Sequence, residues 1–264
     1  MGHLKNLEAM RAQARAHGLD IVMLMLGSHA AETGEEVRRE LAAKGVRIVA
    51  VDWDLPPGSW LPVMKDGQIW RRGREGWCGP MDLMRMHIFG LEGYDAVAYF
   101  DTDMELQGDV LPALRCAATG VLLTTSGPLA PVSVAIIVVR PDPRILRASV
   151  AFAQKAAFSR VDGWAGGGYL PTANKYIGAE CGQGLFHTLF YMQNINRLAR
   201  WALASSGISE LRVGQLDRCE WNYQGGEGCG KAGEGFDCGR VRVHHKPKAP
   251  TPGCCTKLRE RAAA

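Results

Sequence analysis

Strand, helix and strand in quick succession predict an α/β fold, a mostly parallel sheet with flanking helices. Apolar runs at residues 21–26 and 46–51 are parted by the amphipathic stretch 35–44, where Val37 and Leu41 share a face, and that rhythm belongs to parallel pairing. Gly18, Gly45 and Gly93 stand where helices should stop, because glycine takes the left-handed terminating conformation without steric cost. The 264 residues, 47% of them apolar, suffice for one domain with a sizeable core.

Leu4, Leu7, Met10 and Ala14 recur at helical spacing and predict an opening helix that Gly18 ends. After the strand at 46–51 comes a loop rich in Gly, Pro and Trp, residues 56–76. Pro80 suits a first helical position, and Leu83, Met84, Met86, His87 and Leu91 give the helix behind it an apolar face that closes at Gly93. Residues 96–100 read as a strand delivering Asp101, and 121–125 and 134–139 as further strands. A helix after Pro143 carries Ile145, Leu146, Val150 and Phe152. The glycine-rich segment 163–184 leads into a helix over 185–194, and 241–245 is a last short strand. The domain is expected to span residues 1–248, with a Cys-containing polar tail at 249–264. A site is expected at the carboxyl ends of the strands.

The net charge of +4 is modest and its Lys and Arg residues are scattered, which argues against a nucleic-acid partner. No stretch reaches the roughly 18–20 apolar residues of a membrane span, so no membrane segment is expected. Of eight cysteines, Cys219, Cys229, Cys238, Cys254 and Cys255 crowd the last fifth of the chain, and none forms a Cys-x-x-Cys pair; this argues against a zinc ribbon. Two readings stand for them: disulfides holding a glycine-rich loop, the favoured one, or free thiols in a reducing compartment.

Asp101-Thr102-Asp103 follows the apolar strand directly. Side chains alternate along a strand, so residues i and i+2 at its end point the same way and can close on one hard cation. A chain of this length holds about one Asp-x-Asp by chance, and Asp52-Trp53-Asp54 is a second. The plain alternative for either pair is a solvated strand end, and companion sequence separates them.

Residues 80–89, Pro-Met-Asp-Leu-Met-Arg-Met-His-Ile-Phe, and 94–110, from Tyr94 through Asp101-Thr102-Asp103 to Val110, resemble the core of the glycogenin and galactinol synthase family, retaining glycosyltransferases of the GT-A fold. The resemblance runs from about Leu4 to Lys248 and is specific around the aspartates. It implies that Asp101 and Asp103 bind Mn²⁺ or Mg²⁺, that Arg85 and Thr102 lie at the donor site, and that the donor is a UDP-hexose whose sugar passes to a hydroxyl of a glycan, polyol or protein. The family's third metal ligand is a His ending a late strand, which implies His244; strand alternation allows only one of His244 and His245 to serve. The family's phosphate-contacting Lys has two candidates, Lys246 and Lys248. Gly182-Gln183-Gly184 resembles the family's Asp-Gln-Gly turn, with Gly182 in place of the Asp, so Gln183 and, from upstream, Glu180 are the residues implied near the sugar. Ser133 and Ala135 depart from the family's Asn-x-Gly.

The first strand of a nucleotide-binding α/β fold forms much of the nucleoside pocket. Against the family pattern an amino-terminal strand is expected to be missing, through truncation or through lost donor affinity. Two other functions stay open: a non-catalytic nucleotide-sugar-binding or scaffold protein on the same fold, and a sugar nucleotidyltransferase, for which the needed Gly-rich triphosphate turn is not seen. A Golgi or secretory location goes with a lost upstream anchor, a cytoplasmic one with the chain as written.

Overall fold

The structure is a computed structural model that describes residues 3–51, 80–127, 130–159, 161–167, 178–179, 181–224, 229 and 238–245. The loop at 56–76, the second Asp-x-Asp pair and the tail at 249–264 lie outside the described residues. The chain opens with helix α1 (His3–His17), strand β1 (Ile21–Leu26), helices α2 (Gly27–Glu32) and α3 (Glu35–Ala43), and strand β2 (Val46–Val51). Gly18 and Gly45 end α1 and α3 with φ of +63° and +73°, the conformation expected of them. β1 and β2 pair in parallel from Ile21–Val46 to Leu26–Val51.

Residues Pro80–Gly90 form a 3₁₀ helix. Three residues per turn make i and i+3 eclipse, and Leu83, Met86 and Phe89, each at most 2% exposed, form the face it buries. The same geometry stacks Asp82 over Arg85. Next come β3 (Val97–Phe100), β4 (Met104–Leu106), helix α4 (Leu111–Ala118), β5 (Val121–Thr125), β6 (Ser133–Val139) and helix α5 (Pro143–Lys155). Two short strands follow, β7 (Phe158–Ser159) and β8 (Gly163–Trp164), then α6 (Gly182–Phe186), whose last turn widens to a π-helix over His187–Tyr191. The chain continues with α7 (Arg197–Ser205), β9 (Arg212–Leu216), α8 (Arg218–Trp221) and β10 (Val243–His245). Helix starts carry side-chain caps: Asp142 accepts from the Arg144 N–H at 2.9 Å and Asn196 from the Ala199 N–H at 3.0 Å.

The fold is α/β, and its main sheet is mixed where the sequence predicts a mostly parallel one. Its strand order is β3-β6-β5-β9, with β6 antiparallel to both neighbours and only β5–β9 parallel. The chain between β5 and β6, residues 126–132, is shorter than the dozen or so residues a parallel crossover needs, so β6 turns straight back. Every residue of β6 is buried. On one face the 3₁₀ helix, α5, α6 and α7 pack around Phe89, Phe152, Phe186 and Phe190; on the other, Met104, Val110, Ala113 and Trp221 close the core. The helix predicted over 185–194 begins earlier, at Gly182, and its first turn passes close to the preceding chain, where a Cβ at Gly184 would lie 1.8 Å from the Ala179 carbonyl oxygen. Cys219 and Cys229 form a disulfide, Cys181 is also disulfide-bonded, and Cys116 is an exposed free thiol. Among the described residues no helix is long and apolar enough to cross a membrane.

His187 is 5% exposed, and burial pushes its imidazole down to about 4 from an ordinary 6.5. Between those values the unfolded chain binds a proton that the folded chain refuses, so stability falls as pH drops from 6.5 to about 4 and levels off below, by on the order of 3 kcal/mol in total. Urea unfolding across that range should show the loss, and His187→Gln should flatten it.

Candidate metal centre

Three side chains from two distant parts of the chain meet beyond the end of β3. Ligand atoms of Asp101, Asp103 and His245 lie within 4.8 Å of one another, with His245 Nε2 3.4 Å from Asp103 Oδ1. β3 delivers Asp101, whose N–H donates to the Ala135 carbonyl of β6 at 3.0 Å. The chain then turns, with the Met104 N–H donating back to the Asp101 carbonyl at 3.1 Å, and β4 begins. β10 lies antiparallel on β4, placing His245 opposite Met104 and His244 opposite Glu105.

That register corrects the expectation for the histidine. It sets His245 beside the residue that follows Asp103, whereas His244 turns to the other side and packs its ring against Tyr223 at 5.7 Å. His245 is held from behind. Its Nδ1 lies 2.8 Å from Asn222 Oδ1 and 3.0 Å from Gln224 Nε2. The Asn222 Nδ2 donates to the Ser126 carbonyl at 3.2 Å and to Thr125 Oγ1 at 3.0 Å, which fixes Oδ1 as the group facing the imidazole. Nδ1–H therefore donates to Asn222 over the shorter contact, and Nε2 is the nitrogen that faces the carboxylates. Among the described residues Nε2 makes no hydrogen bond.

Behind Asp101 lies a buried clamp. Arg85 and Asp82 have side chains 11% and 12% exposed and form an ion pair. The guanidinium also donates to the Val134 carbonyl at 2.8 Å, sits 3.6 Å from Asp101 Oδ1 and covers the Tyr99 ring at 5.2 Å. Burial opposes its charge, but Asp82, then Asp101, outweigh that and hold its pKa above the ordinary arginine value. Burial raises the Asp82 carboxyl, while Arg85 and the Gly182 N–H work against that rise. One Asp82 oxygen accepts from Arg85 and the other from the Gly182 N–H at 2.6 Å, so both are used as acceptors and the group is ionised. The Tyr99 hydroxyl, pushed up chiefly by burial, keeps its proton and donates to Asp101 Oδ1 at 2.7 Å.

The donor set fits a divalent cation. Three carboxylates, Asp82, Asp101 and Asp103, stand against one guanidinium and one imidazole, so acidic groups predominate in a partly buried site. Two carboxylates with one imidazole are a donor set that could hold a divalent metal ion.

Thr102 is exposed and Asp101 and Asp103 half-buried. Arg85, expected at the donor, is instead turned inward onto Asp82, Asp101 and Val134. Gln183 lies against Gly178, one residue past the N–H that binds Asp82. Glu180, Lys246 and Lys248 lie outside the described residues. Asp82, Tyr99 and Asn222, which touch this group, are not singled out by sequence reasoning, and His245 stands there as the alternative to His244. Compared with family models and with curated proteins, the chain matches none.

A Cβ at Gly182 would lie 2.5 Å from Asp82 Oδ2, so the carboxylate fills the space a side chain there would need. Gly182→Ala should cost about 1–3 kcal/mol in urea unfolding, as overpacking does. In an Asp82→Ala background most of that cost should disappear, because coupled neighbours are non-additive; strict additivity would contradict the contact. Gly34→Ala, with nothing within 4 Å of its Cβ, serves as the comparison.

Proposed function

We propose that this chain is a metal-dependent glycosyltransferase that moves a hexose from a UDP-sugar to a hydroxyl acceptor with retention. The observation that carries the reading is the convergence of Asp101, Asp103 and the Nε2 of His245. The sequence resemblance around residues 80–110 supports the substrate class. Asp101, Asp103 and His245 would hold Mn²⁺. A bound divalent ion neutralises charge on a departing diphosphate, the largest kind of contribution in such a transfer.

The chain's own residues prepare that site. Arg85 and Tyr99 hold Asp101 in one orientation, and Asn222 fixes the tautomer of His245. Preorganised groups of this kind act without reorientation during reaction. Retention means that the bond from C1 to the diphosphate breaks and the acceptor oxygen joins C1 on the same face. Gln183, Glu180, Lys246 and Lys248 remain the residues that the resemblance implies around the sugar and phosphates.

One observation favours a second reading, a non-catalytic nucleotide-sugar-binding protein. Asp82 occupies the space beside Gly182, so no carboxylate can project from position 182 toward a sugar.

Asp103→Asn should abolish Mn²⁺-dependent transfer or UDP-hexose hydrolysis, and His245→Ala should reduce it at least about tenfold, as loss of a metal ligand does. His244→Ala should change stability more than metal dependence. Full activity in Asp103→Asn would sink the assignment, and thermal stabilisation by UDP and Mn²⁺ without turnover in the parent chain would favour the binding protein.

A further inference from the structure

β10 is held along both edges. β4 lies on one, and residues 220–224 lie on the other: the Arg242 N–H donates to the Glu220 carbonyl at 2.7 Å, the Tyr223 N–H to the Val243 carbonyl at 3.1 Å, and the His245 N–H to the Tyr223 carbonyl at 2.9 Å. Asn222 and Gln224, the two side chains that reach His245 Nδ1, belong to this second segment, and the Gln224 amide also donates to Asn222 Oδ1 at 3.3 Å. The near end of the segment is fixed by α8, where Asp217 accepts from the Cys219 N–H at 2.7 Å. Its far end runs in sequence through Gly-Gly-Glu-Gly to Cys229, and glycine is the residue most costly to order. The Cys219–Cys229 disulfide brings that end back, with the two Cα atoms 5.4 Å apart, and Cys229 packs against Tyr223 and Val241. The residues that orient the imidazole thus sit inside one disulfide-closed ring.

We propose that the Cys219–Cys229 disulfide is a redox control on the metal centre: oxidised, it holds the imidazole of His245 toward Asp101 and Asp103, and reduced, it releases the segment that holds it. The control rests on the metal centre proposed above. Closing a ring of this length is worth roughly a hundredfold in the equilibrium of local opening, and that opening parts Asn222 from His245. Reduction needs a dithiol, which supplies two electrons and two protons; the S–S bond breaks, Cys219 and Cys229 become thiols, and the dithiol closes to its own disulfide. Access favours this bond over the other. Cys219 and Cys229 are half-buried, whereas Cys181, also disulfide-bonded, is 6% exposed, and exchange requires the attacking thiolate to reach a sulfur. The metal centre would therefore be complete in an oxidising compartment and loosened on its histidine side in a reducing one, while Asp101, held by Arg85 and Tyr99, stays in place.

The double variant Cys219→Ser, Cys229→Ser removes this bond and leaves the one at Cys181 in place. Hydrogen exchange without metal reads the segment itself: the amides of Tyr223 and His245 should exchange at least about tenfold faster than in the parent chain, and those of residues 134–139 should not follow. The parent chain treated with a dithiol should behave likewise, and reoxidation should reverse it. Mn²⁺ titration reads the consequence. The double variant should bind at least about tenfold more weakly, Asn222→Ala in the parent chain should lose as much, and Asn222→Ala added to the double variant should cost little more, because both act through one contact. Unchanged exchange at Tyr223 and His245, or a rise shared equally by residues 134–139 as a general loss of stability would produce, overturns the proposal. So does an Mn²⁺ affinity that the double variant keeps. A parent chain that binds no Mn²⁺ contradicts the metal centre instead, and the exchange measurement then still decides whether the disulfide holds His245.

Discussion

A guanidinium taken out of water organises this molecule. Arg85 is buried, and a buried charge is tolerated only when its partners are close and well oriented. Its partners come from four places: Asp82 one 3₁₀ turn earlier, the Val134 carbonyl on β6, Asp101 beyond β3, and the face of Tyr99. Asp82 in turn holds the first N–H of α6. Removing one member of such a set leaves an uncompensated buried charge, which costs about 3–5 kcal/mol. The same residues that hold the 3₁₀ helix to the sheet thus fix where Asp101 points. Structure and site share one network.

The opposite side of the site is built by strand register. β10 is short, and its pairing with β4 alone decides which of two adjacent histidines faces the aspartates. Asn222 then decides which nitrogen is offered. It is 1% exposed and bonded to Thr125 and Ser126 at the end of β5, so the imidazole is oriented through a chain of hydrogen bonds that ends on the main sheet. The Cys219–Cys229 disulfide constrains the chain on either side of Asn222. Among the described residues, low exposure on the Asn222 side and higher exposure at Asp103, 39% for its side chain, leave the site more open on the carboxylate side.

Much of the scaffold could be read from the chain because the signals are local. Gly18 and Gly45 have positive φ as the helix-stop argument requires, the helix expected to close at Gly93 ends at Gly90, and the apolar runs at 21–26, 46–51 and 121–125 are strands. What the chain hides is non-local. Sheet direction depends on the connection around residues 126–132. The parity of His244 and His245 depends on a strand more than a hundred residues away. Asp82 shows no signal, since its partner Gly182 lies 100 residues further on. β9 was missed because its residues are mostly polar or small and it lies at the sheet edge, partly exposed. α7 was readable in principle: Asn196 caps it and Ala199, Ala202 and Leu203 recur on its buried face.

The central claim is that a divalent ion binds between Asp101, Asp103 and His245 rather than His244. Paramagnetic broadening tests it directly, because Mn²⁺ relaxes nuclei steeply with distance. In an NMR titration of ¹⁵N-histidine-labelled chain with substoichiometric Mn²⁺, the imidazole of His245 should vanish first, before those of His244, His187 and His17, and Asp103→Asn should prevent it. Broadening that begins at His244, or that strikes all the histidines together, would contradict the account.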